Sequence, residues 1–265
     1  MAKYYGGCDA GSTYTKCVIL DETGKIAANI TKRSRINPVL SAKDSLDEAV
    51  ALVDGLNSAD ELAYLIGRGY GRNKVPFADE NISEISCHAM GVHIAAPDVK
   101  AIIDIGGQDV KGIAIDTDGT VLNFSMNDKC AAGTGRFFES MARAFEMSLD
   151  EFSKLSLTAK NVIPITAQCA VFAESEVISL VGEGKPMEEI AAGIELSVAK
   201  RCFVMAKKAG VVDSVTLTGG CAKNEGLKQA IEKVLKVKAV ELPIDPQLMG
   251  ALGAAEYARQ KGMAR

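Results

Sequence analysis

Residues 9–24 read DAGSTYTKCVILDETG, and residues 104–119 read DIGGQDVKGIAIDTDG. The two stretches are identical at five positions, always 95 residues apart: Asp9 and Asp104, Gly11 and Gly106, Lys16 and Lys111, Asp21 and Asp116, Gly24 and Gly119. Each stretch follows a short apolar run and passes through an Asp-x-Gly turn into a second apolar run, which an Asp-x-x-Gly turn ends. Five identities in one register are hard to obtain by chance. They predict two related halves, each opening with a strand–turn–strand unit.

The residues around these turns predict an α/β chain. A third short strand is expected in each half, at 26–30 and 121–124, so that each half opens with a three-stranded meander. Apolar spacing predicts helices at 45–56, 82–95, 133–145, 171–180, 187–208, 225–235 and 247–261. Further strands are expected at 64–66, 215–217 and, as an edge strand, 238–241. Helical material that follows a meander in both halves indicates helices packed on sheets.

Composition limits the class of protein. At 265 residues the chain can bury a large core without disulfides. Its net charge of −4, from 30 basic and 34 acidic residues, favours neither nucleic acid nor an anionic membrane as a partner. The seven cysteines include no C-x-x-C pair, and the start MAKYYGGCDAGS shows no basic-then-apolar leader. With no apolar run of membrane-spanning length, we expect a cytoplasmic protein with reduced thiols and no membrane partner.

The repeated turns have a chemistry of their own. A strand that ends in Asp-x-Gly places a carboxylate beside a backbone that a ligand can approach closely, because glycine has no Cβ. Successive N–H groups in such a turn suit phosphate; Ser12 and Thr13 add hydroxyls, and Lys16 adds a cation. Two such turns would bracket a polyphosphate, with Asp9 and Asp104 holding a hydrated Mg²⁺. The alternative is two ordinary hairpins, which the matched pair makes the weaker interpretation.

Two groups of motifs carry a family resemblance. Three segments resemble the phosphate-1, phosphate-2 and adenosine motifs of the actin–hexokinase–Hsp70 ATPase superfamily: DAGSTYTK (9–16), DIGGQDVK (104–111) and TLTGGCAKN (216–224). Three more resemble the ATP-dependent activators of 2-hydroxyacyl-CoA dehydratases and the related ATPase subunits of benzoyl-CoA reductase: NDKCAAGTGRF (127–137), CAVFAESEVIS (169–179) and ISEISCHAMG (82–91). The resemblance covers nearly the whole chain, and the combination of motifs is highly specific.

The resemblance implies two duplicated, ribonuclease H-like halves of the actin-like ATPase fold around a nucleotide cleft. The first half would be residues 1–97 with 250–265, and the second, with the cluster cysteines, residues 98–249. Asp9, Asp104 and Gln108 would be catalytic, since a neutral amide can orient an attacking water as glutamine does in other NTPases. The implied ATP ligands are Gly11, Ser12, Thr13, Tyr14, Thr15, Lys16, Gly106, Gly107, Gly133, Gly219, Gly220 and Gln247.

The resemblance also assigns two cysteines. In this family a homodimer holds one [4Fe-4S] cluster between its subunits, with two cysteines from each, and the matching residues are Cys130 and Cys169. A cluster takes four thiolates, and a two-fold axis supplies the second pair. Both cysteines precede predicted helices, whose N-termini would stabilise an anionic cluster. On spacing alone, buried structural thiols would be the simpler interpretation, and we expect that role for the other five. Cys221, in the adenosine motif, raises the question of oxidation there, and Glu174 and Glu176 are left without a role.

The implied function is ATP hydrolysis coupled to low-potential electron transfer. A reduced ferredoxin or flavodoxin would supply the electron, and the partner would be an iron–sulfur enzyme of the 2-hydroxyacyl-CoA dehydratase type. A benzoyl-CoA reductase-like or other double-cubane-cluster reductase is an alternative partner that the sequence does not distinguish. A metal-free small-molecule kinase on the same fold is an alternative from another class, and it would leave the two cysteine motifs unexplained.

Overall fold

A computed structural model describes residues 2–69, 75–166, 169–210 and 213–265. The elements follow in chain order: β1 (Tyr4–Ala10), β2 (Tyr14–Asp21), β3 (Ile26–Arg33), α1 (Pro38–Val50), β4 (Tyr64–Gly69), β5 (Glu80–Asn81), α2 (Glu84–Ala95), β6 (Ala101–Ile105), β7 (Val110–Ile115), β8 (Val121–Asn127), α3 (Gly135–Ala144), α4 (Leu149–Ser156), α5 (Ala170–Gly182), α6 (Met187–Ala209), β9 (Val215–Thr218), α7 (Glu225–Leu235) and α8 (Met249–Met263). Within the described residues, each helix is too short or too polar to span a bilayer.

The chain divides into two compact units. The first contains Met1–Asp98, Ile115–Val121 and Leu242–Arg265, and the second contains Val99–Ala114 and Leu122–Glu241. These bounds describe contacts within the chain. The predicted halves, 1–97 with 250–265 and 98–249, are instead defined by the duplication of the sequence. The contacts do not test them, so they stay a prediction.

The first unit is built on a five-stranded sheet of order β3-β2-β1-β4-β5. Strand β1 is antiparallel to β2 and parallel to β4. Because side chains alternate along a strand, Cys8 and Ala10 lie in the cluster that includes α1, whereas Tyr5 packs with residues of α2 and α8. Gly7 shares the face of Tyr5, and a Cβ on it would lie 2.2 Å from the Ala251 carbonyl oxygen of α8. This glycine therefore lets α8 lie directly against β1.

The second unit repeats the meander in a four-stranded sheet of order β8-β7-β6-β9. Strand β6 is antiparallel to β7 and parallel to β9, as β1 is to β2 and β4. The core of this unit contains three phenylalanines in edge-on contact, with centroids of Phe138 and Phe145 at 6.2 Å and 5.4 Å from that of Phe152. The meander predicted for both halves is therefore confirmed.

The predicted helix 45–56 and the predicted edge strand 238–241 both differ from the structure. Helix α1 begins at Pro38, well before 45, since the Asn37 side chain accepts two backbone hydrogen bonds and proline suits the first turn. The segment 238–241, predicted as an edge strand, forms a single bridge between Val240 and Thr216 in the described residues. The prediction of an edge strand there was therefore wrong apart from this bridge.

Helix α4 was not predicted, although its start carries a recognisable signal. The Ser148 hydroxyl accepts a hydrogen bond from the Glu151 N–H, and the Glu151 carboxylate accepts one from the Ser148 N–H. This reciprocal arrangement is a capping box, and it satisfies two backbone donors at the start of the helix. The S-x-x-E pattern was the signal available in the sequence. The helix was missed because its eight residues are too few to show a clear apolar periodicity.

Candidate functional site

The first predicted phosphate turn follows β1, and Asp9 lies next to the end of that strand. Its side chain is buried, and Oδ2 accepts hydrogen bonds from Lys16 Nζ at 3.1 Å and from Arg68 Nη2 at 2.6 Å. Lys16 lies opposite Asp9 on β2, and Arg68 lies beside it on β4. Burial raises the pKa of Asp9, but the two cations outweigh it and hold the pKa below its ordinary value. The carboxylate therefore stays ionised at the tip of β1.

The turn that follows is held by a glycine and by the hydroxyl groups of Thr15 on β2 and of Ser34, the residue after β3. A Cβ on Gly11 would lie 2.5 Å from the Tyr14 carbonyl oxygen, so the backbone can close here only with glycine. The Ser34 hydroxyl donates to the Gly11 carbonyl at 2.7 Å and lies 2.9 Å from the buried Thr15 hydroxyl. Thr15 thus supports the turn from behind, while Ser12–Tyr14 form its partly exposed tip.

The second turn repeats this arrangement at the end of β6. Asp104 Oδ2 lies 3.1 Å from Lys111 Nζ, and Lys111 is opposite Asp104 on β7. Lys111 is fully buried and also lies 2.8 Å from Asp109 Oδ1. The other Asp104 oxygen accepts a hydrogen bond from the Thr218 hydroxyl at 2.8 Å. A charge buried to this extent is held in one place, since moving it would leave a carboxylate uncompensated.

The second turn is also bonded to the start of α3. The Gly135 N–H donates to the Gly106 carbonyl at 2.9 Å, and the Arg136 N–H donates to the Gly107 carbonyl at 3.0 Å. Two of the N–H groups at the helix start, which have no partner inside the helix, are thereby satisfied by the turn. Gln108 lies partly exposed at the tip of the same turn. The backbone of the turn and the first residues of α3 are therefore directly linked.

A third turn follows β9 in the second unit. Gly219 has φ +83°, and a Cβ on it would lie 2.4 Å from the Ile105 carbonyl oxygen, so only glycine fits. Gly220 begins a short 3₁₀ turn, Gly220–Lys223, which contains Cys221. Burial raises the pKa of the Cys221 thiol well above its ordinary value. The thiolate is the reactive form, so Cys221 is a poor site for oxidation at neutral pH.

Two polar residues lie next to predicted nucleotide segments in their own units. In the second unit Asn224 caps α7, and its Nδ2 donates to Glu195 Oε1 at 2.8 Å. Glu195 is 1% exposed, and burial raises its pKa to about 8. In the first unit Gln247 is buried in the 3₁₀ turn that precedes α8, where its N–H donates to Asp245 Oδ1 at 2.9 Å. Glu195 had not been predicted as a residue of interest.

Both predicted cluster cysteines belong to the second unit, and both are exposed. Cys169 is the N-cap residue of α5, as predicted. Cys130, in contrast, does not lie immediately before its helix, because α3 begins at Gly135 with Thr134 as its N-cap. Gly133 has φ +103°, a left-handed conformation that a helix cannot include, and it therefore delays the helix start. The cysteines buried in the core are Cys8, Cys17, Cys87 and Cys202, as predicted for structural thiols.

The two glutamates without a predicted role have structural partners. Glu174 on α5 accepts a hydrogen bond from the Ser140 hydroxyl on α3 at 2.7 Å, so it joins the helices that follow the two cysteines. Glu176 accepts hydrogen bonds from the N–H and the hydroxyl of Thr166 at 2.9 and 2.8 Å, and it thereby holds the segment before Cys169.

Sequence reasoning did not assign three partners to the predicted catalytic carboxylates, namely Arg68, Lys111 and Thr218. Lys111 could have been found, because it belongs to the repeat and matches Lys16. Arg68 is the one charged residue in the strand YLIGRG, which is a signal for a buried, paired charge. Its partner on β1, however, is set by a parallel pairing that local sequence does not indicate.

Each unit thus contains a buried aspartate near the end of its central strand, a lysine opposite it, and a glycine turn after it. This repeated arrangement of aspartate, lysine and glycine turn on two α/β units defines an ATPase of the actin-like fold class.

The chain belongs to the BadF/BadG/BcrA/BcrD ATPase family, whose model matches residues 7–258. It is 46% identical over 257 residues to the activator of lactoyl-CoA dehydratase of Anaerotignum propionicum, a match that covers 96% of this chain and 97% of that one. The solved activator of the 2-hydroxyisocaproyl-CoA dehydratase from Clostridium difficile with bound ADPNP is 42% identical, with a TM-score of 0.91, covering 98% of this chain and 96% of that chain. Component A of the (R)-2-hydroxyglutaryl-CoA dehydratase of Acidaminococcus fermentans is 40% identical, also with a TM-score of 0.91, covering 98% and 99%. The family and the fold class that the motifs predicted are confirmed.

Proposed function

We propose that this chain is an ATP-hydrolysing electron donor that reduces and activates an iron–sulfur enzyme of the 2-hydroxyacyl-CoA dehydratase type. The observation that carries the proposal is the pair of hydrogen bonds from Gly135 and Arg136 to the second phosphate turn. The exposed Cys130 lies five residues before Gly135 in the same segment. A nucleotide-dependent change at the turn would therefore reach the cysteine segment directly. The names of the relatives, activators of such dehydratases, support this class of partner.

The proposed ATPase chemistry uses residues of the three turns. Asp9 and Asp104 are the proposed carboxylates for a hydrated Mg²⁺, which oxygen ligands suit. Gln108 would orient the attacking water with its neutral amide, as the partly exposed tip of the turn allows. The nucleotide would be bound by Gly11, Ser12, Thr13, Tyr14, Lys16, Gly106, Gly107, Gly133, Gly219, Gly220 and Gln247, and the buried Thr15 would support the first turn.

The cysteines fit a shared [4Fe-4S] cluster. Among the described cysteines, Cys130 and Cys169 are the two exposed ones, and the helices after them are joined through Glu174 and Ser140. Two exposed thiols per chain are half of the four that a cluster needs, so a second copy related by a two-fold axis would supply the rest. We therefore propose a homodimer. When bound, the cluster would hold the electron that the chain donates.

The remaining components follow from this chemistry. We propose a reduced ferredoxin or flavodoxin as the electron source and the reducing cytoplasm as the compartment, because an exposed, shared cluster requires both a one-electron donor and protection from oxidants. ATP can drive the transfer only if it binds two conformations with different affinities. A benzoyl-CoA reductase-like or other double-cubane-cluster enzyme is the alternative client, and pull-down from a native extract under nitrogen would separate it from a dehydratase.

The direct test is the iron content of protein purified without oxygen. We expect brown protein with about four irons per dimer, as one [4Fe-4S] cluster requires, and ATP-dependent reduction of the partner. Cys130→Ala should lose the iron, whereas Cys221→Ala, at a partly buried thiol of the same unit, should retain it. Colourless wild-type protein, or a Cys130→Ala variant that stays brown and still reduces the partner, would contradict the proposal.

A further inference from the structure

Arg68 is a buried cation next to the first phosphate turn. It lies on β4, in parallel register with Asp9 on β1, and is 4% exposed. A Cβ on Gly250, at the start of α8, would lie within 2.7 Å of three guanidinium atoms of Arg68. The absence of a side chain at Gly250 thus provides the space in which the guanidinium lies.

The guanidinium is held by three neighbours. Its Nη2 donates to Asp9 Oδ2 at 2.6 Å and lies 3.0 Å from His88 Nε2, and its Nη1 lies 2.9 Å from Glu84 Oε1. Arginine can only donate, so this contact requires His88 to present the lone pair of Nε2 and to carry its proton on Nδ1. The planar fork of arginine makes these contacts at once, which the single ammonium of lysine cannot reproduce.

Charged side chains of both signs lie around Arg68 in the first unit. Asp9 and Glu84 contribute two carboxylates, and Lys16 and Arg68 contribute two cations. Burial lowers the pKa of Arg68, but the two carboxylates raise it further, so the guanidinium stays charged. Without Arg68, Asp9 would keep one of the two cations that donate to it, Lys16, and the turn would lose one positive charge where anionic phosphate is to bind.

Stability is a weak reason for such a group. A buried ion pair loses hydration on both partners, and replacing it with apolar residues of similar volume is often neutral or stabilising. Arg68 is also absent from the corresponding place in the second unit, where the residue in register with Asp104 is Thr218. That unit positions its carboxylate with a hydroxyl, so the fold itself does not require an arginine.

We propose that Arg68 is a positioning residue for nucleotide binding: it fixes Oδ2 of Asp9 and adds a positive charge beside that carboxylate, so that the first turn accepts phosphate. The inference rests on the proposed function, in which Asp9 serves the nucleotide. It differs from a structural role in one respect, since its effect on nucleotide affinity must depend on the charge of Asp9.

A double-mutant cycle tests this dependence. The dissociation constant of a non-hydrolysable ATP analogue with Mg²⁺ is measured by calorimetry, without oxygen, on the full chain and on Arg68→Met, Asp9→Asn and the double variant. We expect Arg68→Met to raise the dissociation constant about tenfold or more with Asp9 present, and less than about threefold with Asn at position 9, because coupled residues are not additive. Arg68→Lys should recover part of the affinity. Arg35→Met, at an exposed ion pair with Asp44, is the matched control and should change nothing.

Each outcome decides the inference. Equal effects of Arg68→Met in both backgrounds, or no effect at all, would overturn it. If Arg68→Met does not fold by circular dichroism, Arg68→Gln completes the same cycle with a polar side chain. The proposed function fails separately, namely if Asp9→Asn binds and hydrolyses ATP as the wild type does.

Discussion

Glu195 allows a quantitative prediction about stability and pH. Its side chain is 1% exposed, Oε1 accepts one hydrogen bond from Asn224, and Oε2 has no hydrogen-bond partner in the described part of the chain. Burial raises the pKa of this carboxyl from 4.5 to about 8. We predict that Glu195→Gln stabilises the protein, and that the stabilisation grows as the pH rises. Glutamine keeps the oxygen that Asn224 needs, and it never ionises.

The sign and the size follow from proton linkage. Between pH 4.5 and 8 the folded state holds the Glu195 proton while the unfolded state releases it. Stability from this group is therefore complete below pH 4.5 and is lost as the pH rises towards 8. A shift of this size corresponds to about 5 kcal/mol over the full range, and to about 3–4 kcal/mol between pH 5 and pH 8. The glutamine variant should gain that amount relative to the wild type over the same interval.

Urea unfolding measures this difference. Because the chain has no tryptophan, the transition is followed by far-UV circular dichroism on cluster-free, reduced protein at pH 5, 6, 7 and 8. Other titrating groups are common to both proteins and cancel in the comparison. Glu183→Gln, at an exposed residue after α5, is the matched control and should show no dependence on pH. A difference between Glu195→Gln and wild type that stays constant within about 1 kcal/mol from pH 5 to 8 would refute the reasoning.

Three further predictions test the turns and the cysteines. Gln108→Ala should lower kcat for ATP hydrolysis about a hundredfold with little change in KM, because the proposed role of the amide is to orient water and not to bind the nucleotide; steady-state kinetics decides it. Gly219→Ala should abolish nucleotide binding in calorimetry, since its Cβ would lie 2.4 Å from a carbonyl oxygen at φ +83°, and unchanged affinity would contradict this. In cluster-free protein, iodoacetamide should modify Cys130 and Cys169 before the four buried cysteines, as peptide mass spectrometry would show.

The parts of the fold that depend on local sequence were predictable. The strand Val110–Ile115 and the helix Glu225–Leu235 have the predicted bounds, because apolar spacing and flanking turns determine both. The start of α1 was missed because the side chain of Asn37, rather than an apolar residue, determines it. The start of α3 was placed two residues early, since the positive φ of Gly133 is a property of one backbone angle that spacing does not indicate.

In the candidate site, too, local contacts were predictable from the sequence and long-range contacts were not. The repeat correctly predicted which residues share a turn, and the structure brings Asp9 to Lys16 and Asp104 to Lys111 at the same distance of 3.1 Å. These pairs are close in sequence and belong to one hairpin. Arg68 reaches Asp9 across 59 residues, through a parallel pairing that depends on the packing of the whole sheet. Long-range pairing of this kind has no local signal in the sequence, which is why Arg68 was not predicted as a partner of Asp9.

Arg68 and Thr218, the long-range partners of Asp9 and Asp104, show how two duplicated strand–turn–strand units come to differ. Arg68 is in register with Asp9 on β4, and Thr218 is in register with Asp104 on β9, so the two residues occupy the same place in the two sheets. They are 150 residues apart, not 95, because the segment between the meander and the returning strand is longer in the second unit. A search at one fixed spacing therefore finds the lysines and glycines that both units share and misses the position at which they differ. At that position the first unit has the guanidinium of Arg68 and the second has the hydroxyl of Thr218. The carboxylates of Asp9 and Asp104 therefore have different electrostatic surroundings, although both belong to the repeat.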